Sequence, residues 1–182
     1  MVNGGLTNQL SYKDMNLNNK TLEELLEYFK GITTGSDFRD AWNSLKEEKC
    51  KAFYDYLKNV PATKKTYPNL RSEYMATLHK QFKSDFWENE IELVKQGKGT
   101  RNWTVDEQIE MLRKGYVKGY EIQHMCSKSK YPHLACDISN GQALKFVEHR
   151  AKGIGIHSIM GGTQNPLHGY VNEYDFQNLK LY

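Results

Sequence analysis

Five of the six histidines lie between Gly119 and Gly169, with two of the three cysteines and two of the four prolines. Among them His124, Asn140 and His149 are spaced so that a strand, a loop, a second strand and a short helix would gather them round a divalent metal. Imidazole titrates near ~6.5, so a histidine can take a proton from water at neutral pH or serve as a neutral metal ligand. A strand over 120–125 would put Tyr120, Ile122 and His124 on one face and Glu121, Gln123 and Met125 on the other. His124 would then sit where the strand feeds a loop, a place for a general base or for a structural histidine. Asp137-Ile-Ser-Asn140 before Gly141 favours a turn. Asn140 could brace the two strands, accept from the far ring nitrogen of His124, or be an ordinary turn residue. Glu148-His149 opens the last ordered element, where a neutral His149 facing back across the strands would be a ligand. His157 is eight residues further on, ~12 Å along a helix axis. It joins the site only if the chain turns back at Gly153 or Gly155.

The elements that must position these groups are helical. Thr21 and Glu24 form a capping box that opens a helix ending at Gly31. A second helix is expected over about 37–60, with Ser36 as N-cap and one apolar stripe: Phe38, Ala41, Trp42, Leu45, Phe53, Tyr56 and Leu57. Residues 58–68, with two prolines and three lysines, read as a linker. A long helix over about 69–96 carries Leu70, Tyr74, Leu78, Phe82, Phe86, Trp87, Ile91 and Val94, and Gly97 ends it. Thr104 and Glu107 form a second capping box, with Gly115 closing that helix. Aromatic residues at three and four along these helices read as core, not as base-stacking platforms. Residues 1–20, rich in Asn and Gly, read as loosely ordered. The fold class is α+β: a mostly helical segment, 1–65, then a domain over 66–182.

Composition narrows the partners. The formal charge is +3, from 25 Lys and Arg against 22 Asp and Glu, which permits nucleic acid without demanding it. No apolar run approaches the ~20 residues of a membrane span, and the first ten residues lack the blocks of a signal peptide. Cys50, Cys126 and Cys136 contain no CxxC, so neither a disulfide framework nor a four-thiolate zinc site is indicated, although Cys126 and Cys136 could pair.

Residues 123–149, QHMCSKSKYPHLACDISNGQALKFVEH, resemble the HNH nuclease superfamily, the ββα-metal or His-Me finger fold. They resemble most its branch found as C-terminal toxin domains of bacterial secreted proteins. The resemblance is carried by Gln123-His124-Met125, Ser127, Pro132-His133-Leu134-Ala135, Asp137, Asn140 and Glu148-His149, with Gly161-Gly162 and Asn165-Pro166 beyond. WTVDEQIEMLRKG, residues 103–115, is similar to the helix that leads into the motif.

The resemblance implies a C-terminal ββα-metal finger with His124 as general base, Asn140 as bracing residue and His149 as metal ligand. It further implies a nuclease toxin delivered to the cytoplasm of a target cell, acting on DNA in preference to RNA, with a cognate immunity protein. Lys128, Lys130 and Arg150 are the expected substrate-binding residues. Two positions depart from the family pattern. Gln123 stands where the family has a histidine or aspartate ligand, which makes Glu121 a further ligand candidate. Gly153 stands where another histidine is usual, with His157 displaced. A donor set richer in oxygen favours Mg or Mn over Zn or Ni. The same departures suit an alternative, a degenerate scaffold that binds nucleic acid or protein without cutting it.

Overall fold

A computed structural model describes residues 16–150. Six helices and one two-stranded ribbon follow in the order α1 (Leu22–Lys30), α2 (Gly35–Asn43), α3 (Glu47–Tyr56), α4 (Leu70–Lys95), α5 (Val105–Lys114), β1 (Tyr120–His124), β2 (Gly141–Lys145) and α6 (Phe146–Arg150). The expected α+β class is observed, with the helices first and the ribbon late.

Both capping boxes form as expected. Thr21 N donates to Glu24 Oε2 at 2.7 Å and Glu24 N to Thr21 Oγ1 at 3.2 Å. Thr104 and Glu107 repeat the exchange at 3.0 and 3.2 Å. Gly115, at φ 81°, closes α5 in the left-handed conformation that lacks a Cβ penalty only for glycine.

The single helix expected over 37–60 is two helices. Thr34, not Ser36, caps α2, and the chain breaks at Ser44 before α3 begins at Glu47. Asn18 stabilises the break from both sides: its amide donates to Ser44 O at 3.1 Å and its Oδ1 accepts from Lys46 N at 2.7 Å. Residues 16–20, expected to be loose, therefore have a structural role. Leu17–Asn19 form a 3-10 turn and Leu17 is buried. Residues 1–15 lie outside the described part. The three cysteines are free thiols, and Cys136 Sγ donates to Leu78 O at 3.3 Å.

The spine of the molecule is α4, whose 26 residues span roughly 39 Å. Its buried positions Leu70, Tyr74, Leu78, Phe82, Phe86, Glu90 and Val94 recur every fourth residue. At about 100° per residue each step advances ~40° beyond a full turn, so the buried stripe winds round the helix. Its first half meets Phe38, with Tyr74 edge-on at 4.8 Å between ring centres. Its second half meets the 100–103 segment, where Glu90 Oε1 accepts from Trp103 Nε1 and Thr100 N, both at 2.6 Å. One apolar cluster runs from Leu17 through α4 to Ala143, across the boundary expected near residue 65.

The ribbon is antiparallel, from Tyr120 opposite Lys145 to His124 opposite Gly141. Gly141 is where it touches α4. A Cβ there would lie 2.8 Å from Phe86 Cδ2, 2.9 Å from Phe82 Cζ and 3.1 Å from Ile138 O. Gly141→Ala is therefore expected to lower unfolding free energy by about 1–3 kcal/mol through overpacking, read as a lower urea midpoint. An unchanged midpoint would mean that β2 does not need this close approach.

Candidate active site

His124 ends β1 and is 5% exposed. Its ring lies flat on Phe82 of α4, 3.9 Å between centres at 18°. Its Nε2 is 2.8 Å from the Ala135 carbonyl. A carbonyl only accepts, so this contact places the proton on Nε2 and leaves the lone pair on Nδ1. Burial pushes the imidazole down to about 4, with the charge of Lys128 adding to the effect and the Ala135 hydrogen bond opposing it.

Asn140 clamps the loop that supplies this carbonyl. Its Oδ1 accepts from Cys126 N at 2.7 Å, and its Nδ2 donates to Cys126 O at 3.0 Å and Leu134 O at 3.3 Å. Its own carbonyl accepts from Met125 N at 2.8 Å, which extends the ladder one step beyond β1. Of the roles open to Asn140 in the sequence, this is the strand brace. The partner of His124 is Ala135, not Asn140.

Register puts Gln123 and Gln142 side by side on the opposite ribbon face. There α6 brings His149, 4% exposed. His149 Nδ1 is 2.6 Å from Glu121 Oε2, and Nε2 abuts Gln123 Oε1. Arg150 Nε reaches the same Glu121 oxygen at 2.9 Å. When Nδ1 donates to the Glu121 carboxylate, Nε2 turns a lone pair toward the Gln123 carbonyl. That leaves an imidazole nitrogen and an amide oxygen side by side, donor types that divalent cations accept, so the residues present fit such a metal. Among the described residues no cluster of three or more His, Cys, Asp or Glu forms a metal site by itself.

The helix carrying His149 is held by two groups that sequence reading did not single out for this task. Arg101 clasps Glu148 through two nitrogens at 2.9 and 3.0 Å and donates to Ala143 O at 2.8 Å. Glu148 also accepts from Lys145 N at 2.8 Å. Arg101 and Glu148 are 47 residues apart, and nothing in the local pattern of either announces the other.

His124, Gln123, Glu121 and His149 all line one cleft of ≈ 760 Å³ along the edge of β1 that faces away from β2. Although Gln123 and His124 point to opposite faces of the ribbon, both reach this cleft at its edge. Lys128 and Arg150 line it too, as do His79 and Lys83 of α4, which sequence reading assigned to the helical support. Lys130 is not among the lining residues; its Nζ lies 5.7 Å above the Tyr131 ring. His157 falls outside the described residues.

A strand carrying His124, a loop clamped by Asn140, a return strand and a short helix with His149 follow in the order that the sequence resemblance implied. Residues 71–147 match the family Tox-GHH, described as a GHH signature containing HNH/Endo VII superfamily nuclease toxin. That segment, less than half of the chain, is similar to a family of nuclease toxins, in line with the resemblance of the motif. It runs from the first turn of α4 into α6 and stops two residues short of His149. No curated protein matches the chain.

The site leaves a mark on stability. Burial holds His124 down to about 4 and His79 down to about 3 in the folded protein, whereas the unfolded chain protonates histidine near ~6.5. Both contributions are therefore complete above that pH and are lost as pH falls through the folded values. Between about pH 6.5 and 5, unfolding free energy should fall with a slope approaching ~1.4 kcal/mol per pH unit for each histidine. Urea titrations of wild type and His79→Phe should show the variant's slope to be shallower by one proton's share; equal slopes would contradict the burial of His79.

Proposed function

We propose that this protein is a metal-dependent endonuclease toxin that hydrolyses phosphodiester bonds, with DNA as its substrate. The observation that carries the reading is His124: a buried, neutral imidazole whose proton is committed to Ala135 and whose remaining nitrogen keeps a lone pair beside a cleft edged with cations. In this reading His124 Nδ1 takes a proton from the attacking water. Asn140 acts through the loop, keeping the Ala135 carbonyl, and so the tautomer of His124, in place. His149 and Gln123 hold the cation, and Glu121 orients His149 through Nδ1, the usual task of a carboxylate behind a metal-bound imidazole. His157 remains a further candidate ligand. A bound divalent cation would supply neutralisation of charge developing on the phosphate and on the leaving oxygen. The oxygen-containing donor set favours Mg or Mn.

Lys128 and Arg150 bring positive charge to the cleft where a phosphate backbone would lie, and Lys130 stands on the loop beside it. As a delivered toxin the protein acts in the cytoplasm of the target cell, and its producer protects itself with a tightly binding immunity protein. None of the described helices is long and apolar enough to cross a membrane. The alternative, a scaffold that binds nucleic acid or protein without cutting, draws on Gln123 standing in a ligand position. An RNase on the same scaffold is separated by activity on labelled RNA against DNA.

Purified protein with Mg or Mn should degrade plasmid, and His124→Ala should reduce the rate about 10²–10⁴-fold, the usual worth of a general base. The base is already deprotonated well below pH 6.5, because its folded value is about 4. The acid limb of the rate profile should therefore lie below the ordinary imidazole range. By calorimetry, His149→Ala should lose the metal-binding heat. Intact plasmid across several metals, or metal binding indifferent to His149, would favour the non-cutting scaffold.

A further inference from the structure

The wall of the cleft opposite the ribbon is α4, and it offers one side chain that the reading above leaves unused. His79 lies one helical turn before Phe82. Its ring centre is 6.3 Å from that of Phe82 and 5.6 Å from that of His124. Its Nδ1 is buried with no hydrogen-bond partner. A buried N–H without an acceptor costs a full desolvation, so the proton belongs on Nε2 and the bare lone pair on Nδ1. The ring is also neutral: burial pushes it down to about 3, and the charges of Lys128, Lys83 and Arg150 push the same way. His79 thus meets the cleft as an uncharged N–H donor, the complement of His124, whose N–H is turned inward to Ala135.

We propose that His79 is a substrate-positioning residue whose Nε2–H donates to a non-bridging oxygen of the phosphodiester bond to be cut. This rests on the endonuclease reading. It assigns the side wall of the cleft a task distinct from the cation and from the charged residues at its rim. A neutral donor fixes the orientation of a phosphate without adding to long-range attraction. A packing role for His79 would place no value on which ring nitrogen carries the proton, and the proposed role does.

The test uses side-chain amides that imitate one nitrogen each. In His79→Gln the amide nitrogen can occupy the Nε2 position; in His79→Asn it reaches only as far as Nδ1. Plasmid cleavage with Mg or Mn should fall about 10- to 100-fold in kcat/KM for His79→Asn and His79→Phe, the worth of a hydrogen bond to a charged oxygen. His79→Gln should recover to within about fivefold of wild type. For a 20-base-pair DNA duplex bound to His124→Ala, adding His79→Phe should leave the slope of log affinity against log salt unchanged. Adding Lys128→Ala instead should reduce that slope by about one. Equal activity of the Asn and Gln variants, or wild-type activity of His79→Phe, would overturn the inference. Wild-type protein that cuts neither DNA nor RNA would instead remove the endonuclease reading on which it stands.

Discussion

The hydrogen bond between His124 Nε2 and the Ala135 carbonyl is the constraint to which the rest of the site answers. It decides which ring nitrogen keeps a lone pair, and an imidazole can be a base only through that nitrogen. One carbonyl in a loop would be a loose determinant, so the loop is fixed from two directions. Asn140 ties Leu134 O to the strand end at Cys126, and Trp42 Nε1 donates to Pro132 O at 2.8 Å from the helical side. Phe82 then holds the ring from below. Each contact is modest in energy, and together they leave His124 a single orientation.

The two ribbon faces divide the labour. The face toward α4 carries His124 and is apolar beneath it, which keeps the imidazole neutral. The other carries Glu121 and Gln123 and receives His149 from α6. These faces meet in one cleft because the ribbon is only two strands wide among the described residues. A side chain on either face is then one strand away from the open edge. The Arg101–Glu148 clasp sets α6 against β2, so His149 is placed by a charged pair outside the group it serves.

Much of this was legible because local chemistry decided it. Thr21 and Thr104 with their glutamates mark helix starts by side-chain hydrogen bonds, and Gly115 after Lys114 marks an end by its left-handed backbone. Strand alternation alone separates His124 from Gln123. What was not legible depends on distant partners. The break between α2 and α3 is held by Asn18, some 26 residues from Ser44. The apolar residues on both sides of it would equally suit one continuous stripe. His79 reads as a helix residue like any other, because only the packing of α4 against the ribbon gives it a neighbour at His124. Gly141 read as a turn glycine, whereas the rings of Phe82 and Phe86 are what require the missing Cβ.

Trp42 has a consequence for how small a working version of this protein could be made. Its indole is fully buried, and it connects α2 to the peptide at Pro132, 90 residues away. A trimmed version beginning after residue 65 would keep every side chain of the cleft, yet would bare the face of α4 where Tyr74 packs on Phe29 and Phe38. It would also take away the donor that steadies the Ala135 segment. The first three helices are thus a buttress for a bond they never touch, and shortening the protein from that end removes alignment before it removes chemistry.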